Sequence, residues 1–208
     1  MIITDIQQQK HKKNRFSVFV DDEFAFSIEG VDLLYYKLEA NKEITKEKYQ
    51  KITENIVFAK CRDKASSLLA YSPKTKKELK ERLIKEDYPE ETVQRVIELL
   101  EKYGYIDDAA YARAYIQDKF NLKGYGRKKI LCELRMKGIS ADTAENLIDE
   151  YDLDEVEKAM ELLRKKYRDI SSPDQKTKQK MYGYLLRRGY GYDVITECFS
   201  RINTEQGC

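Results

Sequence analysis

The stretch Gly126–Ile139, GRKKILCELRMKGI, is the unit that the rest of the chain repeats. Ile130 and Leu134 stand one helical turn apart, while Lys128 and Arg135, seven apart, fall on the opposite side. One face therefore packs and the other is cationic. Leu79 and Leu83 occupy the same places 51 positions earlier, and Met181 and Leu185 occupy them 51 positions later. The register holds without a gap beyond this helix: Gly138 answers to Asp87 and Gly189, Ile139 to Tyr88 and Tyr190, and Ile148 to Ile97 and Phe199. One basic position recurs as Lys76, Arg127 and Lys178, and another as Arg62, Arg113 and Arg164. A period of this size means stacked supersecondary units, each too small to bury its apolar face without its neighbours.

Within 208 residues, 41% hydrophobic content suffices for an ordinary core and excludes a disordered chain. Lys and Arg (39) nearly cancel Asp and Glu (37), so net charge says little about partners. The distribution says more. Segment 164–188 holds nine basic residues against Asp169 and Asp174, and segment 142–161 holds nine acidic residues against Lys158. Such sorting suits a basic surface beside an acidic one. Cys61, Cys132, Cys198 and Cys208 lack metal-ligand spacing, no secretory signal precedes the first strand, and no apolar run approaches bilayer length. A reducing cytoplasm is expected, and no membrane role.

Residues 1–29 follow a period of two. Phe16, Val18 and Val20 alternate, then Phe24, Phe26 and Ile28 alternate after Asp21-Asp22-Glu23, which reads as a β-hairpin. Ile2, Ile3 and Ile6 could add a third strand, and Lys10–Arg15 reads as a solvated basic loop. From Gly30 the pattern is helical: a short apolar helix over Val31–Leu38, then a longer one capped by Thr45 with Tyr49, Ile52, Ile56 and Ala59 on one side. Each repeat then carries three helices. Thr75 and Glu78 form a capping box, Pro89 suits the next helix start, and Gly104 ends it. Asp107 or Asp108 caps the second repeat, Gly138 closes its middle helix, and Ser140 caps an acidic third helix over 141–151. The third repeat passes through a Ser171-Ser172-Pro173 linker to a last helix ending near Ile202, with Asn203–Cys208 a frayed tail. The expected fold is mainly α: three tandem three-helix repeats in a curved array, preceded by a small N-terminal β-hairpin or three-stranded module. Expected boundaries are 1–45 for that module with its short helix, 46–106 for repeat 1 with a leading helix, 107–152 for repeat 2, and 153–208 for repeat 3 and tail.

No nucleophile, base or metal cluster in workable spacing points to an enzyme, and no cofactor is expected. His11 lies in the basic loop without an orienting partner, so no catalysis should depend on it. Asp107 and Asp108, after a glycine turn, read as a cap rather than a metal site. Gly124-Tyr125-Gly126 lacks the third glycine and preceding strand of a phosphate cradle. A binding protein is the better class. Among tyrosines near basic segments, Tyr182, Tyr184, Tyr190 and Tyr192 read as packing between repeats, and Tyr190 as core. Tyr125, beside Arg127–Lys129, reads as exposed and able to stack on a base. The recurring basic positions could form a stripe that tracks phosphates, or a solvated lysine-rich face.

The stretches YGYIDDAAYARAYI (103–116), KGYGRKKILCELRMKGIS (123–140) and YLLRRGYGYDVI (184–195) resemble the three signature motifs of the RecX family, modulators of the RecA recombinase. The likeness covers roughly 60–208, and the hairpin-first segment 1–29 is similar to that of longer members. The first repeat departs from the pattern: it reads YSPKTKKEL where the family has an Arg ahead of a Ser-capped helix, and Asp87 replaces the turn glycine. The resemblance implies a non-enzymatic helical array lying in the groove of the RecA filament on single-stranded DNA and inhibiting RecA. Candidate contact residues are Lys76, Arg113, Lys123, Tyr125, Arg127, Lys128, Lys129, Arg135, Lys176, Lys178, Lys180, Arg187 and Arg188. Expected partners are the RecA filament and single-stranded DNA, with double-stranded DNA a further candidate, for a monomeric chain. The rival readings are a helical-repeat DNA-binding protein acting without RecA, and a scaffold whose ligands are other proteins.

Overall fold

Strand β1 (Ile2–Gln8) lies between two antiparallel neighbours in a four-stranded sheet of order β3-β2-β1-β4. The structure is a computed structural model that describes residues 1–10, 12–167, 170 and 173–204; His11, Ser171-Ser172 and the end of the expected tail lie outside the described residues. Strands β2 (Arg15–Val20) and β3 (Glu23–Glu29) form the expected hairpin. Its two-residue turn, Asp21-Asp22, has both φ values positive, at 50° and 67°, the twist that a tight hairpin needs. Ile3, Val18, Val20, Phe26 and Ile28 are buried as the period of two requires, but Phe16 is only half-buried and Phe24, past the register shift at Val18/Phe19, is 42% exposed. β1 supplies the third strand. The fourth, β4 (Lys42–Glu43), pairs with Ile2 and Ile3 and is too short to leave an alternation in the sequence.

The helix expected over Val31–Leu38 is shorter: α1 (Gly30–Tyr35) buries no residue. Lys37 adopts φ 48°, which ends the helical path and lets Leu38 turn into the core at 5% exposure. Thr45 caps α2 (Lys46–Ile52) through its hydroxyl, which accepts from the Lys48 amide at 3.2 Å. A π-turn over Thr53–Val57 then precedes α3 (Phe58–Tyr71). This turn corrects the expected apolar face. Its extra residue rotates the stripe, so that Ile52, Val57, Cys61 and Ala65 are fully buried, while Ile56 and Ala59 are only half-buried.

The first repeat continues with α4 (Lys76–Lys85), entered through the Thr75–Glu78 capping box, and α5 (Glu90–Lys102), which starts after Pro89. Its core is continuous with that of the sheet. The turn after α4 seats against the sheet: the Ser27 hydroxyl donates to the Asp87 carbonyl at 3.2 Å, and Lys12 reaches the Glu86 carboxylate at 2.8 Å. Asp87 has φ 63°, so it adopts the left-handed conformation that Gly138 and Gly189 adopt at the matching positions.

Residues 1–107 and 108–208 form two compact units. The second holds α6 (Asp108–Asn121), α7 (Arg127–Met136) and α8 (Ala141–Asp149), then α9 (Glu155–Lys166), α10 (Gln175–Arg187) and α11 (Tyr192–Thr204). Asp107 occupies the position before the first residue of α6, and the Ser140 hydroxyl caps α8. Leu79, Leu83, Ile130, Leu134, Met181 and Leu185 are all completely buried, so the 51-residue period does mark one packed face used three times. The chain is therefore mainly helical, three three-helix repeats behind a small antiparallel sheet. The last helix runs two residues past the expected end at Ile202 and takes in Asn203 and Thr204.

Candidate nucleic-acid interface

The loop between α6 and α7 meets the turn between α10 and α11, and backbone contact holds the two together. The Gly126 amide donates to the Arg188 carbonyl at 2.8 Å and the Lys128 amide to the Gly189 carbonyl at 3.2 Å. The Tyr190 hydroxyl donates to the Gly124 carbonyl at 3.2 Å, and the Arg188 guanidinium donates to the carbonyl of Lys123. Such closeness requires glycine. A Cβ at Gly126 would stand 2.6 Å from the Gly189 carbonyl oxygen, and one at Gly189, whose φ is +86°, would stand 2.3 Å from the Lys129 Cβ. This seam brings Lys123, Lys128, Lys129 and Arg188 to one place, with Arg187 next along the chain and exposed on α10, and none of the five makes an ion pair among the described residues. Two carboxylates adjoin it. Glu155 accepts from the Arg127 amide at 2.8 Å and interacts with the charge of Asp193. Burial pushes the Glu155 carboxyl above the usual carboxylate range, partly offset by that amide.

The other predicted contact residues are placed differently. Arg113 forms a two-bond pair with Glu150, Arg127 pairs with Asp149, and Arg135 pairs with Glu145 at 2.8 Å. These hydrogen bonds hold the Asp149 and Glu150 carboxyls below their ordinary values. Lys76 pairs with Glu101 at 2.9 Å. The expected basic surface beside an acidic one is thus corrected for the second repeat: acids on α8 and just after it pair with cations of α6 and α7, because packing brings sequence-sorted charges face to face. Lys176 and Lys180 lie exposed on α10, and Lys178 is half-buried there.

Tyr125 needs a correction as well. It is half-buried against the second repeat's core, with the Lys129 ammonium 3.9 Å from its ring centroid, so its outer face is covered. Tyr184 is likewise half-buried, beneath Lys166 at 3.8 Å. Tyr190 is fully buried, as expected, whereas Tyr182 and Tyr192 are exposed at 37% and 69%. Reading by proximity to Lys and Arg could not separate these cases, since a cation over a ring may belong to the fold. Sequence reading also missed Glu155, which gives α7 the N-terminal acceptor that Gly126 cannot supply. Its one signal was an acid opening the next repeat.

Among the described residues no three His, Cys, Asp or Glu side chains gather as a metal-ligand set, and no helix is long and apolar enough to cross a membrane. Family models match the chain in four pieces: the regulatory protein RecX N-terminal domain over residues 1–45, and the first, second and third RecX three-helix domains over 61–100, 107–148 and 153–199. A regulatory protein RecX of Clostridium botulinum is 34% identical over 200 residues, covering 94% of this chain and 93% of that one. Another, of Clostridioides difficile, is 32% identical over 203 residues, covering 97% and 95%. Among solved structures, one described as regulatory protein RecX matches with TM-score 0.65 and 26% identity over 96% of this chain and 98% of that one. RecX from Lactobacillus salivarius matches with TM-score 0.64 and 29% identity over 71% and 97%. The three-fold repeat, the leading sheet and near-complete coverage by relatives of one description all agree, and the chain belongs to the RecX family of regulatory proteins.

Proposed function

We propose that this chain is a non-enzymatic regulator that binds the RecA filament on single-stranded DNA and lowers its ATPase, strand-exchange and co-protease activity. The observation that carries the reading is the seam between the second and third repeats. There the two motifs at 123–140 and 184–195 meet, and five basic residues make no ion pair among the described residues, although Glu155 lies near enough to Lys128 to feel its charge. Cations carried on a main chain fixed by backbone contact suit a phosphate chain or an acidic filament surface, since on binding the side chains but not the loops need ordering. Arg113, Arg127, Arg135 and Lys76 act in this reading as internal ties, because each already holds a carboxylate. The setting is the reducing cytoplasm of a bacterium, in keeping with the free thiols of Cys61 and Cys198, which burial pushes up to about 12 and about 11.

The test is RecA ATPase on single-stranded DNA with substoichiometric chain added. Strong inhibition by the native chain, lost in the variant Lys123→Glu/Lys128→Glu/Arg187→Glu, is the expected result. Inhibition only near saturation of the DNA would favour a DNA-binding protein acting without RecA. Repeating the titration at several salt concentrations should show a log–log slope flattened by roughly 0.7 for each phosphate contact removed. Loss of filament binding with unchanged binding to bare DNA would assign the seam to an acidic protein surface.

A further inference from the structure

Each repeat places a cation near the start of its middle helix, and in the first two an acid on the third helix neutralises it. Lys76 pairs with Glu101, and Arg127 pairs with Asp149. In the third repeat the cation is Lys178, and the positions that answer to those acids are Asn203 and Ser200, both neutral. Among the described residues Lys178 makes no ion pair. The middle helix also starts one turn earlier: α10 begins at Gln175, three residues ahead of the register in which α4 begins at Lys76 and α7 at Arg127. Helices α10, with its added turn, and α11 border an open cavity of about 440 Å³ lined by Gln175, Lys178, Gln179, Tyr182, Phe199 and Asn203. The chemistry of this lining belongs to the third repeat. Where it has Gln175, Gln179, Tyr182 and Asn203, the first has Pro73, Lys77, Lys80 and Glu101, and the second has Gly124, Lys128, Leu131 and Asp152.

We propose that this cavity binds a single nucleotide, free or unstacked from a single strand. Lys178, which makes no ion pair among the described residues, meets a phosphate. The exposed ring of Tyr182 and the apolar Phe199 offer faces on which a base can stack. Gln175, Gln179 and Asn203 present carboxamides, each both donor and acceptor, which match the edge of a base and do not repel it. Among the described residues no carboxylate lines the cavity, and its size falls at the lower end of the range for small-molecule sites, roughly 300–1,000 Å³. An acidic side chain of a protein partner would use Lys178 but leave the three carboxamides and the ring without matching groups. The proposal rests on the nucleic-acid part of the function proposed above, and the variants below separate the two.

The experiment titrates the full chain, native and substituted, against a short labelled single-stranded oligodeoxyadenylate, a base-free deoxyribose-phosphate strand of the same length, and AMP. Asn203→Asp restores the acid of the first repeat and should neutralise Lys178 without disturbing the fold, since Lys76 and Glu101 already make this pair. It should weaken binding of both strands and flatten the salt slope by roughly 0.7. Tyr182→Leu should weaken the base-bearing strand roughly tenfold and leave the base-free strand unchanged. Competition by AMP identifies a free nucleotide as ligand, and binding of the strand alone identifies an unstacked one. Native-like titration of the adenylate strand by both variants overturns the proposal, as does an equal effect of Tyr182→Leu on the base-free strand. So does binding of polyglutamate that Asn203→Asp abolishes while the nucleotide probes are unaffected. If the pocket variants titrate like the native chain while Lys123→Glu/Lys128→Glu/Arg187→Glu loses the filament, the pocket falls and the function stands. If the pocket variants lose the strand while the native chain leaves RecA ATPase untouched, the filament reading falls and the pocket stands.

Discussion

Gly126 and Gly189 let two backbones approach more closely than any Cβ would permit, and that approach makes the cationic seam. Gly126→Ala would set a Cβ 2.6 Å from the Gly189 carbonyl oxygen and 2.7 Å from the Tyr190 nitrogen, and neither backbone atom can swing aside as a side chain can. We expect a cost of about 2–3 kcal/mol in denaturant unfolding. Gly104→Ala provides the contrast. With nothing within 4 Å of its Cβ and a φ of +73°, only the left-handed backbone is penalised, by about 1–2 kcal/mol. A negligible loss at Gly126, below that at Gly104, would mean that the seam opens without cost. Glu155 makes a second test at this scale. Burial raises its carboxyl above 4.5, so the folded chain binds this proton more tightly than the unfolded one, and stability is lost as pH rises from 4.5 through the folded value. Glu155→Gln removes that loss, so the variant's stability relative to the native chain should improve as melting is followed from pH 4 to 7. A margin that shrinks instead would show that the ionised carboxylate's bond to the Arg127 amide prevails.

At the scale of the element, hydrophobic spacing read the middle helices correctly and failed where α2 runs into α3. Leu134 is completely buried on α7 and has counterparts in both other repeats, so Leu134→Ala should cost about 2–5 kcal/mol, read as a fall in the unfolding midpoint. Unchanged unfolding would mean that the second core relaxes freely around the space. The π-turn over Thr53–Val57 defeated the same reasoning upstream, because one added residue in a helical turn moves the buried stripe from Ile56 to Val57. Strand β4 was also illegible, since two residues carry no period and their place is set by Ile2 and Ile3 across the ladder. The capping residues Thr45, Thr75 and Ser140 were legible because a cap is a local bond, from a side chain to an amide three residues on.

Taken whole, the chain divides at 107–108, and the second unit contains both sides of the cationic seam and two cores of its own. Residues 108–208 expressed alone should therefore fold, keep their helical circular dichroism and melt cooperatively. A broad, non-cooperative melt would show that the seam needs the first unit. The sequence by itself determined the repeat, its packed face and the hairpin, because these rest on spacing and local bonds that the order of residues expresses directly; the family was legible through the resemblance of three motifs. Charge was different. The same order placed Arg113, Arg127 and Arg135 among exposed contact residues, and only packing showed each committed to an acid on α8 or just after it. Whether a lysine faces solvent, a ring or a carboxylate depends on which helix lies opposite, and partners such as Lys76 and Glu101 or Arg113 and Glu150 stand 25 or 37 residues apart. Tertiary structure alone therefore decided which cations pair with an acid among the described residues and which, as at the seam and at Lys178, do not, because electrostatic pairing follows distance in space while sequence records only distance along the chain.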